Sequence, residues 1–305
     1  MLVPAARLER VRSFLQGILS PWCLPFHHAG IKENGTQSMY HFPGKVSSKS
    51  LQFFCFPLCP PGGYGRMNPV KNYIAGGIMM EQTNPNGRDL SSVIHEKSKV
   101  VCVGLNYRSH AEHAGFPIPE APAIFCKFSN ALAFDGDTVE LPPWEHTYDY
   151  EAELVIVMGK TAWGVSEDEA MGCIYGFTCG NDLSCRASQM RSGQWLIGKT
   201  MPGFAPVGPV VVPREDFDVS QPHFVRSYVN GELRQNGNIS DLIFNCAEIV
   251  SYVSKYVRLE PGDLIFTGTP SGTAMEFKDE EHWLKPGDIV EIEIEGIGTL
   301  RNTMK

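Results

Sequence analysis

Asp149-Tyr150-Glu151-Ala152-Glu153-Leu154 runs without a break into Val155-Ile156-Val157-Met158. The β-branched run is a strand signal, and in a strand residues two apart share a face at about 6.5–7 Å. Glu151 and Glu153 therefore present two carboxylates to one point. Buried side by side, such a pair is costly unless a cation neutralises it or a proton is shared. Further along, Asn181-Asp182 ends another apolar, glycine-punctuated run, Tyr175 to Gly180, and offers a third carboxylate. Three hard oxygen ligands with no His or Cys among them suit magnesium, manganese or calcium and disfavour zinc or copper. The alternative is a solvated strand edge carrying unrelated acids.

Outward from this segment, short strand-like runs alternate with Gly/Pro turns over 100–104, 123–127, 154–158, 207–212, 224–229, 264–267 and 290–294. Two helices are expected, over 166–171 behind a Ser cap with an acidic first turn, and over 246–256 with Ile249, Val250, Val253 and Val257 on one side. The strands are too irregularly spaced for βαβ alternation. Neither Gly-x-Gly-x-x-Gly after a strand nor a Gly-x-Ser-x-Gly elbow occurs, which sets aside a Rossmann oxidoreductase and a serine hydrolase. The fold expected is α+β, mostly β. Pro261-Gly262-Asp263 and Pro286-Gly287-Asp288 read as turns feeding strands.

At 305 residues and 43% apolar composition the chain has room for one large domain with an extension. A net charge of −8 without a Lys/Arg run excludes a nucleic-acid footprint. Apolar stretches such as Phe53 to Leu58 fall far short of the roughly 20 residues that span a bilayer. Nine scattered cysteines in a chain of this size point to a reducing compartment rather than a disulfide framework, and Cys55 and Cys59 lack the second pair a structural zinc needs. Residues 1–66 mix Pro, Gly, Ser and His with aromatics without a period, and read as a poorly structured extension; 67–99 form a small N-terminal region and 100–305 the catalytic domain. A cytoplasmic location is expected. Arg7, Arg10 and Arg12, with Leu8, Val11, Phe14 and Leu15 at helical spacing, keep a mitochondrial presequence as the alternative.

Several ordered segments resemble the fumarylacetoacetate hydrolase superfamily: Gly104-Leu105-Asn106-Tyr107 with His110; Tyr150-Glu151-Ala152-Glu153-Leu154; Asn181-Asp182-Leu183-Ser184 with Arg186 and Gln189; Gln194-Trp195 with Lys199; Val229-Asn230-Gly231-Glu232-Leu233; and Gly262-Asp263 leading into Thr267-Gly268-Thr269-Pro270. The resemblance spans roughly Val100 to the C-terminus. Gln194 to Lys199 and the stretch from Trp283 to Asp288 look most like the branch of acylpyruvate hydrolases and oxaloacetate-acting members. It implies a mixed β-sandwich roll with a few short helices, a homodimer, and Glu151, Glu153 and Asp182 as ligands of magnesium or manganese. It further implies Lys199 as the cation beside a developing enolate, Arg186, Gln189 and Thr269 as substrate contacts, and His110 as the base that activates water. The family's partner acid for that histidine commonly lies three residues on; here Glu112 stands at plus two and His113 at plus three. Glu112 is the candidate partner, unless another acid orients the ring. Ala187 and Met201-Pro202-Gly203 also depart from the pattern and make the pocket wall unusual.

The reaction so implied is hydrolytic carbon–carbon cleavage of an acylpyruvate or related β-diketo acid. Oxaloacetate decarboxylation or keto–enol tautomerisation is the alternative, favoured by the altered position after His110. A catalytically silent metal- or ligand-binding relative is the third reading.

Overall fold

The computed structural model describes residues 84, 86–115, 117–277 and 280–305. Its strands in chain order are β1 (Val100–Gly104), β2 (Ala123–Lys127), β3 (Leu132–Phe134), β4 (Thr138–Val139), β5 (Tyr148–Asp149), β6 (Ala152–Met158), β7 (Ile174–Asn181), β8 (Ser184–Cys185), β9 (Ala205–Pro213), β10 (Phe224–Val229), β11 (Glu232–Asn238), β12 (Leu264–Phe266), β13 (Ile289–Ile294) and β14 (Gly298–Met304). The α-helices are short: α1 (Arg108–Ala114), α2 (Glu167–Ala170), α3 (Arg186–Met190), α4 (Leu196–Lys199), α5 (Cys246–Ser254) and α6 (Ala274–Phe277). The expected extension over 1–66 and the segment 67–83 lie outside the described residues.

A seven-stranded sheet in the order β2-β1-β12-β6-β7-β9-β3 packs on a five-stranded one in the order β11-β10-β13-β14-β4. β6 lies inside the larger sheet, antiparallel to β12 and β7, and every one of its residues is buried. Leu154, Ile156 and Met158 point into the core between the sheets, with Val225, Ile292 and Leu300. Val155 and Val157 point the other way, into a second core closed by Leu90 and Ile94. Buried on both faces, the strand is apolar from Leu154 onward, which is why its sequence shows a run rather than an alternation. β13 and β14 alternate buried and more exposed positions, as a sheet with one solvated face requires.

The expected runs at 100–104, 123–127 and 224–229 coincide with β1, β2 and β10, and the other strand expectations fall within a residue or two of an observed end. The helix expected to 256 stops at Ser254, and Asn245 caps it through a reciprocal bond with Glu248. Ser166 and Glu169 form the same box on α2. Gly262 and Gly287, at φ of 86° and 98°, make the two Pro-Gly-Asp turns.

Two tethers place the functional loops. β1 is followed by Leu105, whose φ of 53° is uncommon for a branched side chain and turns the chain toward α1. The Asn106 amide then donates to Thr267 O at 2.7 Å and Phe244 O at 3.0 Å and accepts from Phe244 N. Gln235 on β11, fully buried, accepts from Ala152 N at 2.9 Å and donates to Thr269 Oγ1 and Pro270 O, both at 2.8 Å. Ala152 lies between the two glutamates, so the second sheet sets where they stand.

Because β6 serves both cores, Ile156→Ala is expected to lower unfolding stability by about 2–5 kcal/mol. A urea titration followed by tryptophan fluorescence measures it; a change below about 1 kcal/mol would contradict the two-core packing.

Candidate functional site

Glu151, Glu153 and Asp182 converge: each offers a carboxylate oxygen, and these atoms lie within 4.8 Å of one another, all buried. Glu151 and Glu153 flank the start of β6, and Asp182 follows β7, whose pairing sets Ala152 beside Asn181. The Asn181 side chain accepts from Glu151 N at 3.1 Å, and Asp182 N donates to Glu151 O at 3.0 Å, so the two segments are stitched where the acids leave them.

Three buried cations face this cluster. Arg186 on α3 donates from Nε to Asp149 Oδ2 at 2.7 Å, from Nη2 to Glu151 Oε1 at 2.6 Å and from Nη1 to Gln189 Oε1 at 2.9 Å. Lys199, the last residue of α4, donates to Glu151 Oε2 at 2.6 Å and Asp182 Oδ2 at 2.7 Å. Lys127, at the end of β2, lies 2.5 Å from Asp182 Oδ1 and donates to Leu183 O and Phe204 O. Glu153 differs: among the described residues its recorded partner is the Gly268 amide, at 2.7 Å, and no cation touches it.

The electrostatics follow from this asymmetry. Burial by itself would raise the Glu151 carboxyl, but Arg186 and Lys199 outweigh it and hold the group down at about 2. Burial pushes Glu153 well above the usual carboxylate range, and neighbouring Asp182 and Glu151 push it further. Burial pushes the Lys127 ammonium down, whereas Lys199, equally buried, is raised because Asp182 and Glu151 overcome desolvation. With Asp149 included, three cations meet four carboxylates, one positive charge short of balance if all are ionised. An oxygen-lined cluster with a residual negative charge and one carboxylate without a cation fits a hard divalent ion.

His110 is buried on α1, and its Nδ1 pairs with Glu276 Oε1 at 2.8 Å. Glu276, on α6, also accepts from Gly272 N at 3.0 Å and Thr273 Oγ1 at 3.3 Å. Burial would raise its carboxyl, but the His110 bond and the Gly272 amide hold it below the usual range. Glu112, the expected partner of His110, is instead exposed. The reason is geometric: 108–114 is a helix rather than an open loop, and residues two apart on a helix do not share a face.

The other expected residues fall close by, with qualifications. The three guanidinium nitrogens of Arg186 all donate to protein acceptors. The Thr269 hydroxyl donates to Ala152 O at 2.9 Å and accepts from Gln235. Gln189 accepts from Arg186 through Oε1, which leaves its amide N–H groups for another acceptor. Sequence reasoning missed Lys127, Asp149 and Glu276 as members of the site. Each had a signal: Lys127 ends an otherwise apolar strand with inward parity to Phe125, Asp149 has the parity of Glu151, and Thr273-x-x-Glu276 is a helix-start pattern.

The protein-family model described as "Fumarylacetoacetate (FAA) hydrolase C-terminal" matches residues 99–305. The chain belongs to the fumarylacetoacetate hydrolase family. Among curated members, a fumarylacetoacetate hydrolase domain-containing protein 2 homolog of Dictyostelium discoideum is 42% identical over 220 residues, covering 69% of this chain and 72% of that protein. The mitochondrial oxaloacetate tautomerase of Homo sapiens is 40% identical over 208 residues, covering 67% of this chain and only 65% of its own length. Among solved family structures, fumarylpyruvate hydrolase from Pseudomonas aeruginosa in complex with Mn2+ and pyruvate aligns with a TM-score of 0.62 at 31% identity, over 77% of this chain and 99% of that one. A 2-hydroxyhepta-2,4-diene-1,7-dioate isomerase from Mycobacterium marinum aligns with a TM-score of 0.61 at 38% identity, over 68% and 75%. The members named are hydrolases, isomerases and tautomerases, and the chain shares the family's mostly β fold.

Raised in the folded chain, Glu153 holds its proton there at pH values where the unfolded chain has lost it. Its contribution to stability therefore falls as pH rises above the unfolded value. Glu153→Gln is accordingly expected to raise the melting temperature of the metal-free protein at pH 7, to flatten its dependence on pH above about 4.5, and to weaken Mn2+ binding. Scanning calorimetry across pH and a Mn2+ titration check both halves; a less stable variant at pH 7 would contradict the assignment.

Proposed function

We propose that the chain is a divalent-metal-dependent enzyme that moves a proton at the carbon beside the oxo group of a 2-oxo acid, with oxaloacetate keto–enol tautomerisation as its reaction. The observation that carries the reading is the His110–Glu276 pair, joined to the carboxylate cluster through Asp149, which accepts from the start of α6 and from Arg186. Glu276 engages Nδ1, which makes Nε2 the basic nitrogen. The name of the human relative supports oxaloacetate as substrate.

Glu151, Glu153 and Asp182 would hold the magnesium or manganese ion, which supplies Lewis-acid polarisation of the 2-oxo acid when bound. His110 Nε2 takes a proton from the methylene carbon. The C–H pair becomes the carbon–carbon double bond, and the carbonyl π pair moves onto oxygen. Returning the proton to that oxygen completes the enol, with no atom gained or lost. Lys199 stabilises the negative charge that exists only during the transfer. Gln189 offers its amide N–H groups to the substrate, while Arg186 and Thr269 act by holding the cluster in place. Glu112 has no part in this scheme.

Hydrolysis of an acylpyruvate is the second reading, favoured by the same pair. His110 would take a proton from water, the hydroxide would add to the distal carbonyl, and the carbon–carbon pair would leave with the enolate, later protonated. The name of the Pseudomonas relative supports it. Decarboxylation of oxaloacetate uses the same enolate. A homodimer and a cytoplasmic location remain part of the proposal. The mitochondrial alternative draws on the human relative's name, and the Arg7 segment on which it rests lies outside the described residues.

The test is a panel of oxaloacetate, acetylpyruvate and fumarylpyruvate with Mg2+ or Mn2+ or a chelator, following enol absorbance and identifying products by mass spectrometry in 18O-water. Metal-dependent equilibration of oxaloacetate tautomers without a new acid is expected, with His110→Ala reducing kcat by about 10²–10⁴-fold. An acid product carrying 18O would move hydrolysis to first place. Pyruvate and CO2 would indicate decarboxylation. Inertness throughout would favour a silent binding relative and reject the proposal.

A further inference from the structure

Asp149 is fully buried and accepts four hydrogen bonds. Tyr150 N at 2.8 Å and Ala274 N at 2.7 Å donate to Oδ1, while Met275 N at 3.1 Å and Arg186 Nε at 2.7 Å donate to Oδ2. Two of these donors are the first backbone amides of α6, which at four residues is too short to hold its own geometry. The same helix carries Glu276, and Glu276 carries His110. In the other direction, Arg186 passes from Asp149 to Glu151 Oε1 at 2.6 Å. One carboxylate thus belongs to both halves of the site.

We infer that Asp149 is a positioning residue: by clamping the start of α6 it fixes Glu276, and through Glu276 the orientation of the His110 ring relative to the Glu151–Glu153–Asp182 cluster. The inference rests on the proposed role of His110 as the proton-transferring base. Two features of the geometry support it. Both Asp149 oxygens face α6, where a partner for the Arg186 charge alone would need only one of them. Glu276 falls in the same helical turn as the two clamped amides, so a small rotation of that turn would carry its carboxylate away from Nδ1. A displacement on the order of 1 Å in a supporting group can cost about 10²-fold in rate.

A role confined to balancing Arg186 makes a different forecast, because Arg186 leads to Glu151 and hence to the metal. The experiment uses the full chain with Asp149→Asn, Glu276→Gln and the double variant. It measures Mn2+ affinity by calorimetry, kcat and KM on whichever panel substrate the wild type turns over, and amide hydrogen exchange across 272–277. Asp149→Asn is expected to keep Mn2+ affinity and KM within about threefold, to lose about 10–100-fold in kcat, and to add less than about twofold to the loss from Glu276→Gln. Losses that multiply in the double variant, or a loss of Mn2+ affinity matching that of kcat, would overturn the inference. Should the wild type be inert, the functional reading fails instead. The clamp is then decided by exchange alone: faster exchange at Ala274 and Met275 in Asp149→Asn upholds it, and unchanged exchange rejects it. If the Asn variant does not fold, Asp149→Glu keeps the charge but shifts the acceptor by one methylene, and the same pattern is expected of it.

Discussion

Concentrated buried charge is the constraint on which this structure depends. Four carboxylates sit together out of water, and a buried charge without a partner costs several kcal/mol. The partners come from different parts of the chain: Lys127 from the end of a sheet strand, Arg186 and Lys199 from two short helices after β8. Removing Arg186 would leave Asp149 without a cation, and removing either lysine would leave Asp182 with one. The cluster therefore forms only when the sheet edge, the glutamate strand and the two helices have all assembled. Gly198 shows how tightly they must: a Cβ there would lie 2.4 Å from Gln189 N, so the two helices meet at backbone distance.

The compensation is uneven by one charge, and the unevenness is localised. Glu151 and Asp182 each contact two cations, while Glu153 rests against a backbone amide. A protein that needed only stability would do better with a neutral residue there. A buried carboxylate with no cation against it fits a site that could take its counter-charge from a bound ion.

How much of this could be read beforehand depended on whether the information was local. β6 was legible because burial on both faces demands an unbroken apolar run, and the two glutamates because strand parity is local. The site's long-range pairings were not. The acid that orients His110 lies in α6, far along the sequence, and long-range bonds such as those of Asn106 to Thr267 and Phe244, together with those of Asp149 to α6, draw the two regions together. Glu112 was a reasonable candidate for an open loop and became unsuitable once the segment coiled into a helix. Strand β14, with its Thr, Arg and Asn positions, escaped notice because a half-solvated strand alternates instead of running. Arg186 and Thr269 were expected at the site and lie against the carboxylate strand, but sequence could not reveal that their polar atoms would be engaged by Asp149, Glu151, Ala152 and Gln235.

β6 packs into both cores, and this restricts where the family's chemistry can be varied. A change on either side of that strand disturbs one interior or the other, and its N-terminal end carries the acids, so the strand has almost no freedom to drift. The outward surfaces of α3 and α4 are different: Met190 and Ile197 project at 56% and 51% exposure and support none of the ion pairs. Alterations there leave the charged apparatus beneath intact. Substitutions meant to spare the charged apparatus belong on those outward surfaces, and the strand that bears the acids is the part to leave alone.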